Sequence, residues 1–162
     1  MENFEGRVSG QWSVSSMSSL LTNCTLLDRN GEPVDKTAVI ARPEKIALYF
    51  SAHFCAPCRQ FTPVLKEFYD EVNEDEKKVE IIFVSLDKTK DEAESYHKEH
   101  GNWPRVCYDN EEARLQLKGK LGVEKIPALI VLDSAKENAK FTDGVNDVKN
   151  MGPMAFDMKW GN

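Results

Sequence analysis

"YFSAHFCAPCRQFTPVL", residues 49–65, decides the fold. It joins the end of one apolar run to the start of an amphipathic segment, and it sets Cys55 and Cys58 at that junction with Ala56 and Pro57 between them. The run KIALYFSA, 45–52, is nearly continuous in apolar character, as expected of a strand buried on both faces. Beyond the cysteines, Phe61, Val64, Leu65, Phe68, Tyr69 and Val72 recur with the spacing of one helix face. Pro63 inside that helix removes an amide donor and predicts a kink. A second apolar run, VEIIFVSL at 79–86, closes a strand–helix–strand unit whose strands should be parallel and whose crossover should be right-handed.

Working outward, TLLDRNGEPV at 25–34 carries turn residues between apolar flanks and reads as an N-terminal β-hairpin. Thr89 and Glu92 have capping-box spacing before a helix that Gly101 would end. Its weak apolar face predicts a surface position, and His97 and His100 lie on it. Asp109 and Glu112 repeat the box before a short helix ending near Gly122. ALIVLD, 128–133, is a third strand, KENAKF, 136–141, a turn and edge strand, and VNDVKNM, 145–151, a final helix. Residues 1–19, polar and serine-rich, read as a flexible arm ahead of one domain over 20–162, with Trp160 docking the tail on the core.

The 162 residues carry a formal net charge of −6 and are 41% hydrophobic, a balance that suits one globular domain. No basic stretch suggests nucleic-acid binding, and no apolar run approaches the roughly 18 to 20 residues of a membrane span. The N-terminus lacks an apolar signal core, so cytoplasm, or nucleus, is the expected location, where thiols stay reduced.

A cysteine pair can be a metal clamp, a structural bridge or a redox centre. Zinc usually needs two further ligands, and Cys24 and Cys107 are isolated. A structural bridge is disfavoured in a reducing compartment. The strand-to-helix position favours redox chemistry: the free N–H groups and positive dipole of a first helical turn stabilise a thiolate at Cys55, and Arg59 adds a positive charge. Cys58, one turn on, can attack a mixed disulfide and release product. Pro57 stiffens the turn, while Phe54 and Ala56 keep its surroundings apolar. Cys107 and Cys24 read as small buried hydrophobes, with a regulatory thiol as the alternative for Cys107. Ile126 and Pro127 directly precede the third strand, where a proline can be cis or can be trans and mark the strand start.

YFSAHFCAPCRQFTPVLKEFYDEV, VSLD, Trp103 and LGVEKIPALIVLD together resemble the tryparedoxin and nucleoredoxin group of thioredoxin-fold proteins over about residues 20–160. The resemblance implies an α/β, thioredoxin-like fold, a central mixed sheet flanked by helices. It implies that Cys55 attacks, Cys58 resolves and Pro127 is cis, with Ile126 lining a groove where an extended substrate backbone pairs. Phe54, Ala56, Pro57 and Trp103 would complete that groove, although a buried loop anchor is the other reading of Trp103. Thioredoxins carry a buried acid six residues before the first cysteine, where this chain has Tyr49. Asp87 is then the candidate proton acceptor, or else a helix cap ahead of Thr89. Leu86 and Lys88 stand where tryparedoxins have a tryptophan and an acid, which argues against trypanothione as substrate.

The implied activity is that of a thiol–disulfide oxidoreductase acting on protein disulfides such as those of peroxiredoxins, recycled by a reductase or a low-molecular-weight dithiol. No metal and no cofactor beyond the redox-active Cys55–Cys58 disulfide is expected, and a monomer is. The rivals are a redox-sensitive binding module for a signalling partner and a glutathione- or cluster-binding domain.

Overall fold

The structure, a computed structural model, describes residues 6–8, 11–13, 17–133 and 142–160. In chain order the elements are β1 (Gly6–Val8), β2 (Gln11–Ser13), α1 (Met17–Leu20), β3 (Leu26–Leu27), α2 (Lys36–Ala41), β4 (Lys45–Ser51) and α3 (Ala56–Val72). They continue with β5 (Val79–Ser85), α4 (Lys90–His97), β6 (Arg105–Val106), α5 (Glu111–Lys120), β7 (Ala128–Asp133), β8 (Thr142–Asp143), α6 (Val145–Met151) and a π-helical turn, Phe156–Trp160. Six strands form one sheet in the order β3-β6-β5-β4-β7-β8, and β1 and β2 pair only with each other, inside the segment expected as an arm.

The two apolar runs lie side by side at the centre, parallel, with Tyr49 beside Phe83 and Ser51 beside Ser85. Every residue of both strands is buried, so the near-continuous apolar pattern follows from helices covering both faces. β7 runs antiparallel on the other side of β4, bringing Ala128 opposite Phe50. One face of the sheet meets α1, α2 and α5 through Leu48, Phe50, Ile82, Val84, Ala113 and Leu117. The other meets α3, α4, α6 and the π-turn through Tyr49, Phe61, Leu65, Phe83, Tyr96 and Trp160. Burying a side chain such as Phe50, with no exposed surface, contributes on the order of 2–3 kcal/mol.

Several expectations need correction. α4 is not a surface helix: Ala93, Tyr96 and His97 are buried on it, and His100 just beyond is fully buried. Its amphipathicity uses aromatic and imidazole rings rather than aliphatic ones, which an aliphatic count misses. The helix ends at His97, not at Gly101, although Thr89 does cap it, accepting from the Glu92 amide at 3.2 Å. Asp109 does not cap α5; Asn110 takes the N-cap position and Asp109 pairs with Lys90 at 3.0 Å. The hairpin turn at Asp28–Gly31 forms, but the pairing back is a single bridge, Leu27 to Pro33, and Leu26–Leu27 pairs with β6 instead. α2 was unforeseen; Asp35 caps it by accepting from the Thr37 amide. The turn read at 136–141 lies outside the described residues, and the edge strand is β8. Trp160 does dock the C-terminal segment, edge-on to Phe68 and bonded to Asp147 at 3.1 Å.

Candidate active site

β4 ends at Ser51, and four residues later Cys55 is the N-cap of α3. Its backbone is extended, φ −92° and ψ 110°, and its sulfur accepts from the Cys58 amide at 3.3 Å. A cap site normally holds an oxygen acceptor, so a sulfur here is served by a donor suited to an anion. The same sulfur lies 3.8 Å from the Ile126 carbonyl, and the Ile126–Pro127 bond is cis. Both cysteines of the pair are free thiols; Cys55 is half-buried and Cys58 has no exposed surface. Burial pushes the Cys58 thiol well up from its ordinary range. Its hydrogen bond to Cys55 raises it further, while the Ser51 hydroxyl and the Ala52 backbone pull it back. The outer sulfur can therefore meet a partner, and the inner one keeps its proton.

Arg59 is exposed on the first turn of α3, with its backbone N–H bonded to the Cys55 carbonyl at 3.1 Å. Phe54, 52% exposed, stands beside the thiol with the Lys88 ammonium 5.3 Å above its ring. Ala56 and Pro57 are exposed, while Ile126 and Pro127 are half-buried. Trp103 is not with them. At 1% exposure it packs edge-on against Tyr69, donates its indole N–H to His100 Nδ1 at 3.2 Å, and offers a substrate no surface.

Asp87 does not cap a helix, because Thr89 holds that role. Its carboxylate accepts from the His53 backbone N–H at 2.7 Å and from the Ser85 hydroxyl at 2.8 Å, tying the loop before Cys55 to the end of β5. Burial raises its carboxyl above the usual range against the pull of those two bonds.

One group of residues was missed. The hydroxyls of Tyr49, Thr62, Tyr96 and Ser51 form a buried chain behind Cys58, with successive separations of 2.8, 2.7 and 2.8 Å. The Thr62 and Tyr49 hydroxyls also lie within reach of the Cys58 carbonyl, at 3.0 and 3.4 Å. The available signal was Ser51 and Thr62 at positions that strand and helix patterns bury, since buried hydroxyls demand partners.

The family model for thioredoxin-like domains matches residues 43–138 of this arrangement, cysteine pair included. The chain belongs to the thioredoxin-like family. Nucleoredoxin from Bos taurus is 40% identical over 112 residues, 69% of this chain and 25% of that protein. The chain thus spans about a quarter of the length of the curated nucleoredoxins it matches. Among solved structures, thioredoxin from Wuchereria bancrofti superposes with a TM-score of 0.70 at 42% identity, covering 86% of this chain and 95% of that one. Tryparedoxin I from Crithidia fasciculata superposes with a TM-score of 0.75 at 30% identity, covering 85% and 92%. These relatives support a redox oxidoreductase role for a thioredoxin-like chain whose two cysteines are adjacent. Among the described residues no helix is long and apolar enough to cross a membrane, and no group of three or more His, Cys, Asp and Glu side chains converges as a metal site.

Proposed function

We propose that the chain is a thiol–disulfide oxidoreductase that reduces protein disulfides with the Cys55–Cys58 pair. The observation that carries this reading is the asymmetry of the pair. Cys55 is half-exposed and capped by the Cys58 amide beside the Ile126 carbonyl, while Cys58 is buried one turn behind. The Cys55 thiolate attacks one sulfur of the substrate disulfide; that S–S bond breaks, and the departing substrate sulfur takes up a proton. Cys58 then loses its proton and attacks Cys55 Sγ, so the mixed disulfide breaks and the second substrate sulfur leaves and is protonated. Two electrons pass to the substrate and the pair ends as a disulfide. The second step is intramolecular, with effective molarities that can reach about 10⁵ M or more.

An extended substrate segment would pair along Ile126 and rest on Phe54, Ala56, Pro57 and Pro127. Asp87 is the candidate to accept the Cys58 proton, because burial leaves its carboxyl easier to protonate than an exposed one. Suitable substrates are peroxiredoxin-like disulfides, with a reductase or a low-molecular-weight dithiol restoring the pair and no further cofactor. The cytoplasm or nucleus supplies such reductants, and the domain would act as a monomer.

Cys55→Ser should abolish dithiothreitol-driven reduction of insulin disulfides and capture nothing from a lysate. Cys58→Ser should also stop turnover but hold covalent adducts that dithiothreitol releases. Trapping by the Cys55→Ser protein, or alkylation of Cys58 before Cys55 by limiting iodoacetamide, overturns the assigned roles. A redox-sensitive binding module is the second reading, favoured by the exposed Phe54 ring beside the thiol. It requires no turnover with the pair intact.

A further inference from the structure

The four buried hydroxyls have a property that a random polar cluster lacks: their hydrogen bonds can be completed in two directions. With Cys58 as a thiol, Ser51 donates to Tyr96, Tyr96 and Tyr49 donate to Thr62, and Thr62 donates to the Cys58 carbonyl. Reversed, Tyr49 still donates to Thr62, while Thr62 donates to Tyr96 and Tyr96 to Ser51. Every bond in both directions joins a pair already within reach. At one end the Cys58 carbonyl gives up the Thr62 hydroxyl; at the other the Ser51 O–H, at the end of β4, becomes free to point elsewhere, and Ser51 is among the groups that favour the Cys58 thiolate.

We propose that this chain is a hydroxyl switch for the resolving cysteine: when Cys58 ionises, the chain reverses and Ser51 donates to the Cys58 sulfur. The proposal rests on the reading of Cys58 as the thiol that resolves a mixed disulfide. In the reversed chain Ser51 is the catalytic residue, because its hydroxyl then donates to the reacting sulfur; Tyr96, Thr62 and Tyr49 are positioning residues. No proton changes oxygen. Each hydroxyl keeps its own, and Thr62, Tyr96 and Ser51 only rotate, so the proton lost by Cys58 leaves by another route and ends on the departing substrate sulfur. Charge-assisted hydrogen bonds are the strong ones, and a chain that polarises along its length strengthens the last bond further.

The other titratable and charged groups of this region are Cys55 at the N-cap and Arg59 in the first turn of α3, and Asp87, which is bonded to the His53 amide in the loop before Cys55. His53 meets Tyr96 edge-on at 5.7 Å, and the His100 ring meets it edge-on at 4.4 Å. Both Asp87 carboxylate oxygens are already engaged, by His53 and Ser85, so the hydroxyl chain and the carboxylate are separate devices.

The test uses the reduced full chain with Cys107 replaced by serine and a limiting amount of dithionitrobenzoate, whose aryl thiolate is coloured. Attack by Cys55 releases the first aryl thiolate, and attack by Cys58 on the mixed disulfide releases the second. Ser51→Ala should leave the first release unchanged and slow the second roughly tenfold or more at neutral pH, as expected for a lost hydrogen bond to a charged group. Tyr96→Phe should slow it less, Tyr49→Phe least, and Ser51→Thr, which keeps the hydroxyl, should restore it. The deficit should narrow toward alkaline pH. An unchanged second release in Ser51→Ala, equal slowing at all pH values, or failure of threonine to rescue overturns the switch. A wild-type protein with both releases but no turnover on protein disulfides overturns the reductase reading and leaves the switch standing; a missing second release overturns both.

Discussion

The two faces of the sheet are built from different materials. Against α1, α2 and α5, β4 and β5 present Ile46, Leu48, Phe50, Ile82 and Val84, which need only to be covered. Against α3, α4 and α6, the same strands present Tyr49, Phe83 and the serines Ser51 and Ser85. There Thr62, Tyr96, His97, His100 and Arg105 are also buried, and each polar atom needs a partner. The first face supplies stability without conditions. The second shares its interior with the cysteine site and depends on protonation states. Its accounting is almost closed: His97 accepts from Arg105 at 2.8 Å and donates to the Trp103 carbonyl at 2.7 Å. Among the described residues, His100 Nε2 and Arg105 Nε are the buried side-chain polar atoms left without a partner.

The largest effect should come from the apolar face. Phe50→Ala removes a fully buried ring and should cost about 3–5 kcal/mol in urea unfolding, with the same loss at pH 5 and pH 8. A loss that varies with pH would show that the faces are coupled.

The polar face should fail in acid. Burial first, and then the Arg105 charge, hold the His97 ring well below its ordinary range, from 6.5 to about 4. The unfolded chain takes a proton there below about pH 6.5 and the folded chain does not until about pH 4, so stability falls as pH drops through that window and is flat above it. His100 is shifted in the same direction. Asp87 and Glu80 work oppositely, because burial raises their carboxyls and their folded forms bind protons first. Comparing wild type with His97→Gln isolates one share: about 3 kcal/mol between pH 6.5 and 4 that the variant should not lose. Parallel pH curves would refute a neutral buried His97.

A smaller cost is expected at Gly101, where a Cβ would run into the Trp103 indole. Gly101→Ala should destabilise by about 1–3 kcal/mol, the usual range for overpacking. It should leave Cys55 alkylation unchanged, since Trp103 sits away from the thiols. The smallest effect belongs to neither face: Lys90→Ala deletes an exposed pair with Asp109 and should leave the unfolding midpoint unchanged within error in high salt.

What was readable in advance divides along the same line as the faces. The apolar runs at β4, β5 and β7, the long helix after the cysteines and the cap at Thr89 follow from local periodicity and local hydrogen bonding, which adjacent residues determine. The cysteine pair at a helix start is equally local, and so its place at the N-cap was legible in the sequence by itself. The rest depended on residues far apart in the chain. Thr62 meets Tyr96 across 34 positions, Ser51 meets Tyr96 across 45, and Cys55 reaches the Ile126 carbonyl across 71. Only packing reveals that a helix poor in aliphatic residues buries a tyrosine and two histidines nearby, or that Trp103 fills a core instead of walling a groove. A buried polar atom must find a partner, but its own sequence neighbourhood does not say which one. The tertiary structure decides that, because the partner is whichever group the folded sheet and helices bring within about 3 Å.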